Sequence, residues 1–207
     1  MKLIIFDCDG TLVDSERLCN LALEHQLAEV GIEYKAADLV AKYCGVKFNV
    51  ILASIAEEFS IIFPDSFETE YRLKVSNLFD KHLKENEGVS EMLASLNVPY
   101  CLASSAPRAK IEHALKVTGL TKFFKDKIFS AYEVGAWKPE PGLFLHAAKA
   151  MNVDPADCWV VEDSTVGIQA ANNANMKCVH YSPDISHSSP LASVHIQHMS
   201  ELMQTIT

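Results

Sequence analysis

Short runs of consecutive apolar residues alternate along this chain with longer stretches in which apolar residues recur at helical spacing. Apolar residues at every position are typical of strands buried on both faces of a parallel sheet. Helices that connect such strands make right-handed crossovers, so the alternation predicts an α/β fold with a doubly wound, Rossmann-like parallel sheet. The predicted strands are residues 3–6, 100–103, 127–130, 158–161, 178–181 and 194–196. The helices predicted after them are residues 107–118, 140–151, 165–174 and 199–206.

The interval between the first two predicted strands departs from this alternation. It spans about 90 residues, far more than one crossover helix needs. Helical spacing recurs within it at residues 16–30, 36–43, 47–60 and 66–84. Gly31, Gly45 and Pro64 separate these stretches. We therefore expect a helical domain at residues 15–84, inserted into a core domain made of residues 1–14 and 85–207.

Composition and charge narrow the class of ligand. The chain has 207 residues, a formal net charge of −9 and an isoelectric point near 5.3. That balance argues against binding to nucleic acid or to an anionic membrane surface, because neither would meet a counter-charge. A small anionic ligand therefore needs local help, from a metal ion, a few lysines or a helix N-terminus.

Localisation and redox chemistry follow from what the pattern lacks. No apolar run reaches the roughly 18 residues of a membrane span, and the N-terminal residues do not resemble a signal peptide. The six cysteines are scattered without a CxxC pair, which favours reduced thiols and argues against a zinc site. We expect a cytoplasmic protein.

Polar side chains follow the predicted strands at the points where the strands end. Asp7 follows the first strand, Ser104 the second and Asp163 the fourth, preceded by Glu162; Lys138 lies some residues after the third. Because ligands of doubly wound sheets bind at the carboxyl ends of the strands, we expect these side chains to converge.

The carboxylates in this set predict a cation. Asp7 and Asp9 are two residues apart, and Gly10 allows the backbone to turn sharply behind them. Adding Asp163 concentrates negative charge at one place, which is costly unless a cation is bound. Oxygen ligands favour a hard ion, and Mg²⁺ fits best.

Taken singly, each of these residues has a structural explanation. The Asp-x-Asp-Gly segment suits a turn, Lys138 a solvated surface charge, and Ser104 and Ser105 helix caps. Taken together, they supply a nucleophile, a general acid, a metal site, a hydroxyl and a lysine for phosphoryl oxygens. This combination is what phosphoryl transfer requires.

The same segments resemble the signatures of a known family in order along the chain. Residues 6–16 resemble the first signature of the haloacid dehalogenase superfamily, Ser104 the second and Lys138 the third. Glu162 and Asp163, with Ser164 and Gly167, resemble the fourth. The helical insert resembles the cap of the β-phosphoglucomutase-like branch. Residues 138–141 and 146–151 resemble bacterial sugar-phosphate phosphatases, especially the 6-phosphogluconate phosphatases.

The resemblance implies a Mg²⁺-dependent phosphatase that acts on a small phosphorylated metabolite. Asp7 would attack the phosphoryl group and form an aspartyl phosphate. Asp9 would protonate the leaving oxygen and then activate the hydrolytic water. Mg²⁺ would be held by Asp7, the backbone carbonyl of Asp9 and Asp163, with Glu162 supporting the site.

The resemblance also assigns residues to the substrate and an oligomeric state. Ser104 and Lys138 would bind the phosphoryl oxygens, and Thr11 and Ser105 would complete the binding site. Lys47, in the insert, is the candidate for the substrate's non-phosphoryl end; its alternative is a solvated lysine at a helix start. Arg17 and Arg108 are further candidates by chain position. Capped members of this size are expected to be monomers.

A phosphomutase is the nearest alternative function. Mutases of this branch carry a His on the first cap helix and an Arg in the cap loop, whereas the matching positions here hold Cys19 and Phe48. Water is then the expected acceptor. A dehalogenase does not need the proton donor Asp9. A non-catalytic module that binds a phosphorylated metabolite is the alternative from another class.

Overall fold

The computed structural model describes residues 2–43, 46–184, 186 and 188–206. Within it the chain forms two compact units. The core unit comprises Met1–Asp14 and Lys84–Thr207, and the helical unit comprises Ser15–Leu83. Gly45, which the sequence marks as a boundary between two helices, lies outside the described residues.

The core unit is built on a six-stranded parallel sheet, which confirms the predicted fold class. The strand order is β3-β2-β1-β4-β5-β6. The strands are β1 Leu3–Phe6, β2 Tyr100–Ser104, β3 Ile128–Ser130, β4 Cys158–Glu162, β5 Lys177–Tyr181 and β6 Val194–Ile196. Each strand end lies within one residue of its predicted position because the apolar runs are short and sharply bounded.

Strand β1 occupies the middle of this sheet. Ile4 is in register with Tyr100 of β2 on one side, and Leu3 is in register with Cys158 of β4 on the other. All four residues of β1 are completely buried. The residues that follow β1 therefore emerge at the centre of the sheet's carboxyl edge.

The helical unit contains the four helices that the apolar spacing predicts. They are α1 Glu16–Glu29, α2 Ala36–Tyr43, α3 Phe48–Phe59 and α4 Phe67–His82. Their apolar faces form a separate core, because side chains at helical spacing meet along one stripe of each helix. Its buried members are Leu23, Leu27, Ile32, Leu39, Tyr43, Ile51, Ile55 and Phe67.

The remaining helices pack in the core unit. They are α5 Val89–Ser95, α6 Arg108–Val117, α7 Thr121–Phe124, α8 Ala131–Val134, α9 Gly142–Ala150, α10 Thr165–Asn173 and α11 Leu202–Thr205. The predicted helix 199–206 is divided, with a 3₁₀ turn at Met199–Glu201 preceding α11. Helices α5, α7 and α8 were not predicted, because so few residues do not establish a helical period.

Among the described residues no single helix is long and apolar enough to cross a membrane. The bent pair α2 and α3 meets both criteria only when its two helices are taken together.

Candidate active site

The loop after β1 carries both candidate carboxylates. Asp7 is its first residue; its N–H donates to the carbonyl of Val161 at 3.0 Å, and the residue is 5% exposed. Gly10 has a φ of +82°, a conformation that favours glycine, and a Cβ there would overlap the carboxylate of Asp163. The glycine therefore serves two purposes: it turns the loop and lets Asp163 approach it.

The Asn86 side chain, whose role was not predicted from the sequence, holds this loop by hydrogen bonds to its backbone. Asn86 donates from Nδ2 to the carbonyl oxygens of Gly10 and Thr11, at 2.7 and 2.8 Å. Its own N–H donates to the carbonyl of Leu12 at 3.0 Å. These bonds fix the backbone between β1 and the rest of the core unit.

Asp7 belongs to a buried ion network with Lys138 and Glu162. The Lys138 Nζ donates to Oδ1 of Asp7 and to Oε1 of Glu162. The Lys138 side chain is only 4% exposed and that of Glu162 only 1%. Lys138 is therefore not the solvated surface charge that its position alone would allow, and its ammonium balances two buried carboxylates.

Burial and charge act in opposite directions on this network. Burial raises the pKa of Asp7 to about 7, and the neighbouring Lys138 ammonium opposes the rise. Burial disfavours the charge of Lys138, but Asp7 and Glu162 outweigh it and raise the lysine pKa above its ordinary value. The two carboxylates therefore favour the ammonium form of Lys138.

Glu162 is held on its second oxygen as well. Its Oε2 accepts hydrogen bonds from the N–H and the hydroxyl of Ser164, at 2.9 and 2.8 Å. A Cβ at Gly167 would overlap the Glu162 carboxylate, so this position in the first turn of α10 requires glycine. Both carboxylate oxygens of Glu162 are thus engaged by protein groups.

Asp163 is positioned by contacts on its side chain and its backbone. The buried Thr11 hydroxyl donates to its Oδ1 at 2.8 Å. His180 Nδ1 accepts from the N–H of Ser189 at 3.0 Å, so the ring proton lies on Nε2, which contacts the Asp163 carbonyl at 3.0 Å. Burial lowers the pKa of His180, consistent with this neutral ring. The contact between His180 and Asp163 was not predicted from the sequence.

The end of β2 supplies the candidate hydroxyls. Ser104 is 2% exposed, and its Oγ accepts from the N–H of Ala106 at 3.1 Å. Ser130 donates to the carbonyl of Ala106 at 2.7 Å, which fixes the same turn from β3. Ser105, between Ser104 and Ala106 in the sequence, is partly exposed.

The second candidate carboxylate, Asp9, forms a salt bridge with a different lysine, Lys110. Lys110, in the first turn of α6, donates from Nζ to both oxygens of Asp9 at 2.9 Å. These side chains are 24% and 29% exposed, respectively. Arg108, the α6 residue considered from the sequence, instead pairs with Glu133 and donates to the carbonyl of Ile128 at 2.8 Å.

The donors expected for Mg²⁺ are all oxygens, as that ion prefers. No hydrogen bond from a described residue reaches Oδ2 of Asp7. Gly10 leaves the Asp163 carboxylate against the loop that carries Asp9. Across the part of the chain that the structure describes, no three His, Cys, Asp or Glu side chains could together hold a metal. A cation here would therefore need a backbone carbonyl and water beside two carboxylates, a donor set that suits Mg²⁺.

Three further candidate positions belong to the helical unit. Lys47 directly precedes α3 and is exposed. Phe48 is the first residue of α3, and its ring stacks on Tyr71 with centroids 4.2 Å apart. Cys19 is partly exposed on α1.

The parallel strand order and the acidic residues at the sheet's carboxyl edge define a Rossmann-like α/β protein with a polar site beside β1 and β4. The family model described as haloacid dehalogenase-like hydrolase matches residues 4–181, and the chain belongs to this family. The 6-phosphogluconate phosphatase of Escherichia coli strain K12 is 34% identical over 205 residues, covering 99% of this chain and 92% of that protein. The predictions of this family and of a phosphoric monoester hydrolase are confirmed.

Solved structures agree with this assignment. A conserved haloacid dehalogenase-like protein of Agrobacterium tumefaciens C58 has a TM-score of 0.86 and 31% identity, covering 100% of this chain and 97% of that one. A Thermotoga maritima protein, provisionally assigned as a β-phosphoglucomutase, has a TM-score of 0.81 and 26% identity, with 100% of both chains covered. The predicted similarity to the β-phosphoglucomutase-like branch is confirmed.

Proposed function

We propose that this chain is a Mg²⁺-dependent phosphatase for the phosphate monoester of a small sugar or sugar acid. Its reaction would pass through an aspartyl phosphate on Asp7. The supporting observation is the unequal environment of the two carboxylates: Asp7 is buried against Lys138, and Asp9 stands partly exposed with Lys110. One carboxylate is thereby suited to a fixed covalent role and the other to proton transfer.

The first step transfers the phosphoryl group to the protein. An oxygen of Asp7 forms a bond to phosphorus while the bond from phosphorus to the alcohol oxygen breaks. Asp9 donates its proton to that departing oxygen, so the product leaves with a hydroxyl group and not as an alkoxide. Lys138 and Ser104 hold the phosphoryl oxygens during the transfer.

The second step returns the protein to its starting state. Asp9, now ionised, removes a proton from water as the water oxygen attacks phosphorus. The bond between phosphorus and Asp7 breaks, releasing inorganic phosphate and the free carboxylate. Asp9 ends this step protonated, ready for the next substrate.

A bound Mg²⁺ would neutralise charge on the phosphoryl oxygens and on the Asp7 carboxylate. Asp7, the Asp9 carbonyl and Asp163 would hold it, with Thr11 and His180 orienting Asp163. We assign Glu162 a supporting role, because Lys138 and Ser164 already engage both of its oxygens. In that role Glu162 keeps Lys138 directed at Asp7.

Phosphatase activity is favoured over mutase activity by residues of the helical unit. Cys19 and Phe48 stand where mutases carry His and Arg, and the Phe48 ring is stacked on Tyr71. Neither residue offers a charge to a second sugar hydroxyl. Lys47 is our candidate for selecting the substrate's non-phosphoryl end, and substitution by Ala should raise KM more than it lowers kcat. We further propose that the protein acts as a monomer.

The test is a phosphate-release screen of phosphorylated sugars and sugar acids, with Mg²⁺ and with a chelator. It should include 6-phosphogluconate, β-glucose 1-phosphate and p-nitrophenyl phosphate. We expect Mg²⁺-dependent release, and a loss of at least about 10³-fold in Asp7→Asn because an amide is a poor nucleophile.

Asp157→Asn is the matched control, because Asp157 pairs with Lys2 on the surface and should tolerate the change. Glucose 6-phosphate formed from β-glucose 1-phosphate would instead indicate a mutase. If no ester is hydrolysed between about pH 5 and pH 9, the protein is a binding module and the proposal is wrong.

A further inference from the structure

Lys110 forms an ion pair with Asp9 but takes no part in the two chemical steps proposed above. Lys110 Nζ donates to both Asp9 oxygens at 2.9 Å, yet Lys138 already supplies the cation beside the nucleophile. The Lys110 side chain is 24% exposed, so solvent or a ligand can reach it. Its place beside Asp9 requires a separate explanation.

The contacts of Asp9 limit the distance between the Lys110 ammonium and the leaving oxygen of the substrate. If Asp9 delivers a proton to the leaving oxygen, that oxygen lies roughly 2.6–3.2 Å from the Asp9 carboxylate. The Lys110 ammonium bonds the same carboxylate at 2.9 Å. The ammonium therefore lies within about 6 Å of the leaving oxygen, a separation that an anionic group on the departing alcohol can span.

An anionic group on the alcohol would meet this ammonium. A carboxylate oxygen hydrogen-bonded to Lys110 lies within about 9 Å of the ester oxygen, a distance that covers both short hydroxy acids and an extended six-carbon sugar acid. The net charge of −9 makes a local cation necessary for such a substrate. Arg108 cannot replace Lys110, because Glu133 and the Ile128 carbonyl engage its guanidinium.

We propose that Lys110 determines specificity by binding an anionic group of the leaving alcohol, so that the enzyme prefers phosphate esters of hydroxy acids to those of neutral alcohols. The inference rests on the proposed phosphatase function and narrows its substrate class. A residue that only stabilised Asp9 would affect all esters alike. A specificity residue changes the ratio between charged and neutral esters.

Two matched pairs of esters measure that ratio. 6-Phosphogluconate and glucitol 6-phosphate differ only in a carboxylate against a hydroxymethyl group, as do 2-phosphoglycolate and 2-hydroxyethyl phosphate. For the wild type we expect kcat/KM to favour the acid by about 10-fold in at least one pair. In Lys110→Met that preference should disappear, and Lys110→Arg should retain most of it.

Lys116→Met is the control, since Lys116 is an exposed lysine near the end of the same helix. Its acid-to-neutral ratio should equal that of the wild type. An unchanged ratio in Lys110→Met for both pairs would overturn the role of Lys110 while leaving the phosphatase proposal intact. Failure of the wild type to release phosphate from any ester, p-nitrophenyl phosphate included, would overturn both.

Binding provides a second measurement that does not depend on turnover. Isothermal titration of 6-phosphogluconate and glucitol 6-phosphate into Asp7→Asn, with Mg²⁺, should show the tighter Kd for the acid. Adding Lys110→Met to that variant should weaken binding of the acid about 10-fold and leave that of glucitol 6-phosphate nearly unchanged. Equal weakening of binding for both esters would show that Lys110 does not bind the carboxylate of the acid.

Discussion

The core unit contains two pairs of Asp and Lys that are alike in chemistry and unlike in surroundings. Asp7 and Lys138 are 7% and 4% exposed, whereas Asp9 and Lys110 are 29% and 24% exposed. The buried pair is joined by Glu162 as a third charge. Lys110, in contrast, lies in the first turn of α6, and its side chain is partly exposed.

This difference separates a fixed pair from an exchangeable one. A buried ion pair costs several kcal/mol to break, because the remaining charge has no water. A partly exposed pair is stabilised by about 0–1 kcal/mol, so a ligand can replace one partner. Asp7 is therefore suited to stay in place as a nucleophile, and Asp9 to change partners and proton state during turnover.

The largest expected effect is that of removing the buried cation. Lys138→Met should lower the free energy of unfolding by about 3–5 kcal/mol at pH 8, because two buried carboxylates lose their counter-charge. The cost should be smaller at pH 5, where these carboxylates can take up a proton. Urea denaturation in the presence of a chelator measures it. A cost below about 1 kcal/mol at pH 8 would contradict the comparison.

The ionisation of Asp7 should make the metal-free protein less stable as the pH rises. Its pKa is raised from 3.8 to about 7 by burial, so between these values the native state holds a proton that the unfolded chain has lost. The free energy of unfolding then falls with rising pH through that window, by at most about 4 kcal/mol. Asp7→Asn should lack this slope.

The measurement is the difference in unfolding free energy between wild type and Asp7→Asn at pH 4, 5, 6, 7 and 8, without metal. Asp157→Asn is the control, because its surface pair with Lys2 lowers the Asp157 pKa and gives no slope in the same direction. A difference that stays constant from pH 4 to pH 8 would disprove the assignment of the raised pKa to Asp7.

Gly10 lies in the loop that carries Asp7 and Asp9. Its replacement by Ala should lower the free energy of unfolding more than the replacement of another glycine with positive φ. Gly119→Ala meets no atom within 4 Å at a φ of +75°, so only backbone strain of about 1–2 kcal/mol applies. Gly10→Ala adds an overlap with Asp163. We expect a total of roughly 2–4 kcal/mol and a weaker dependence of activity on Mg²⁺. Equal costs in the two variants would exclude the close approach of Asp163.

The smallest effect is expected for the exposed pair. Lys110→Met should change the free energy of unfolding by no more than about 1 kcal/mol, since solvent replaces the lost contact. The same urea experiment as for Lys138→Met measures it, in the same buffer. A cost close to that of Lys138→Met would mean that the two pairs do not differ in kind.

The sequence predicted the sheet and its carboxyl-edge residues because both depend on local pattern. A buried strand requires consecutive apolar residues, and Asp7 and Asp163 adjoin such runs directly. Their convergence then follows from the parallel topology. The family signatures added roles to these positions.

Contacts made by helices and distant loops could not be predicted in this way. Arg108 and Lys110 are two positions apart in α6, about 200° around the helix, so only one of them faces Asp9. The pattern predicts the helix without showing its rotation against the sheet. Asn86 and His180 were missed for a similar reason: their partners lie far away along the chain.

The central place of β1 in the sheet has a consequence for how the protein is made. Its neighbours in register, Tyr100 and Cys158, are synthesised much later than β1 itself. Non-local strand pairing must first overcome the entropy of closing long loops, so it forms late and slowly. Asp7, the proposed nucleophile, therefore leaves the ribosome well before Asp163, and its site is incomplete until Asp163 has followed. A growing chain on the ribosome is expected to hydrolyse nothing until its sheet closes around β1.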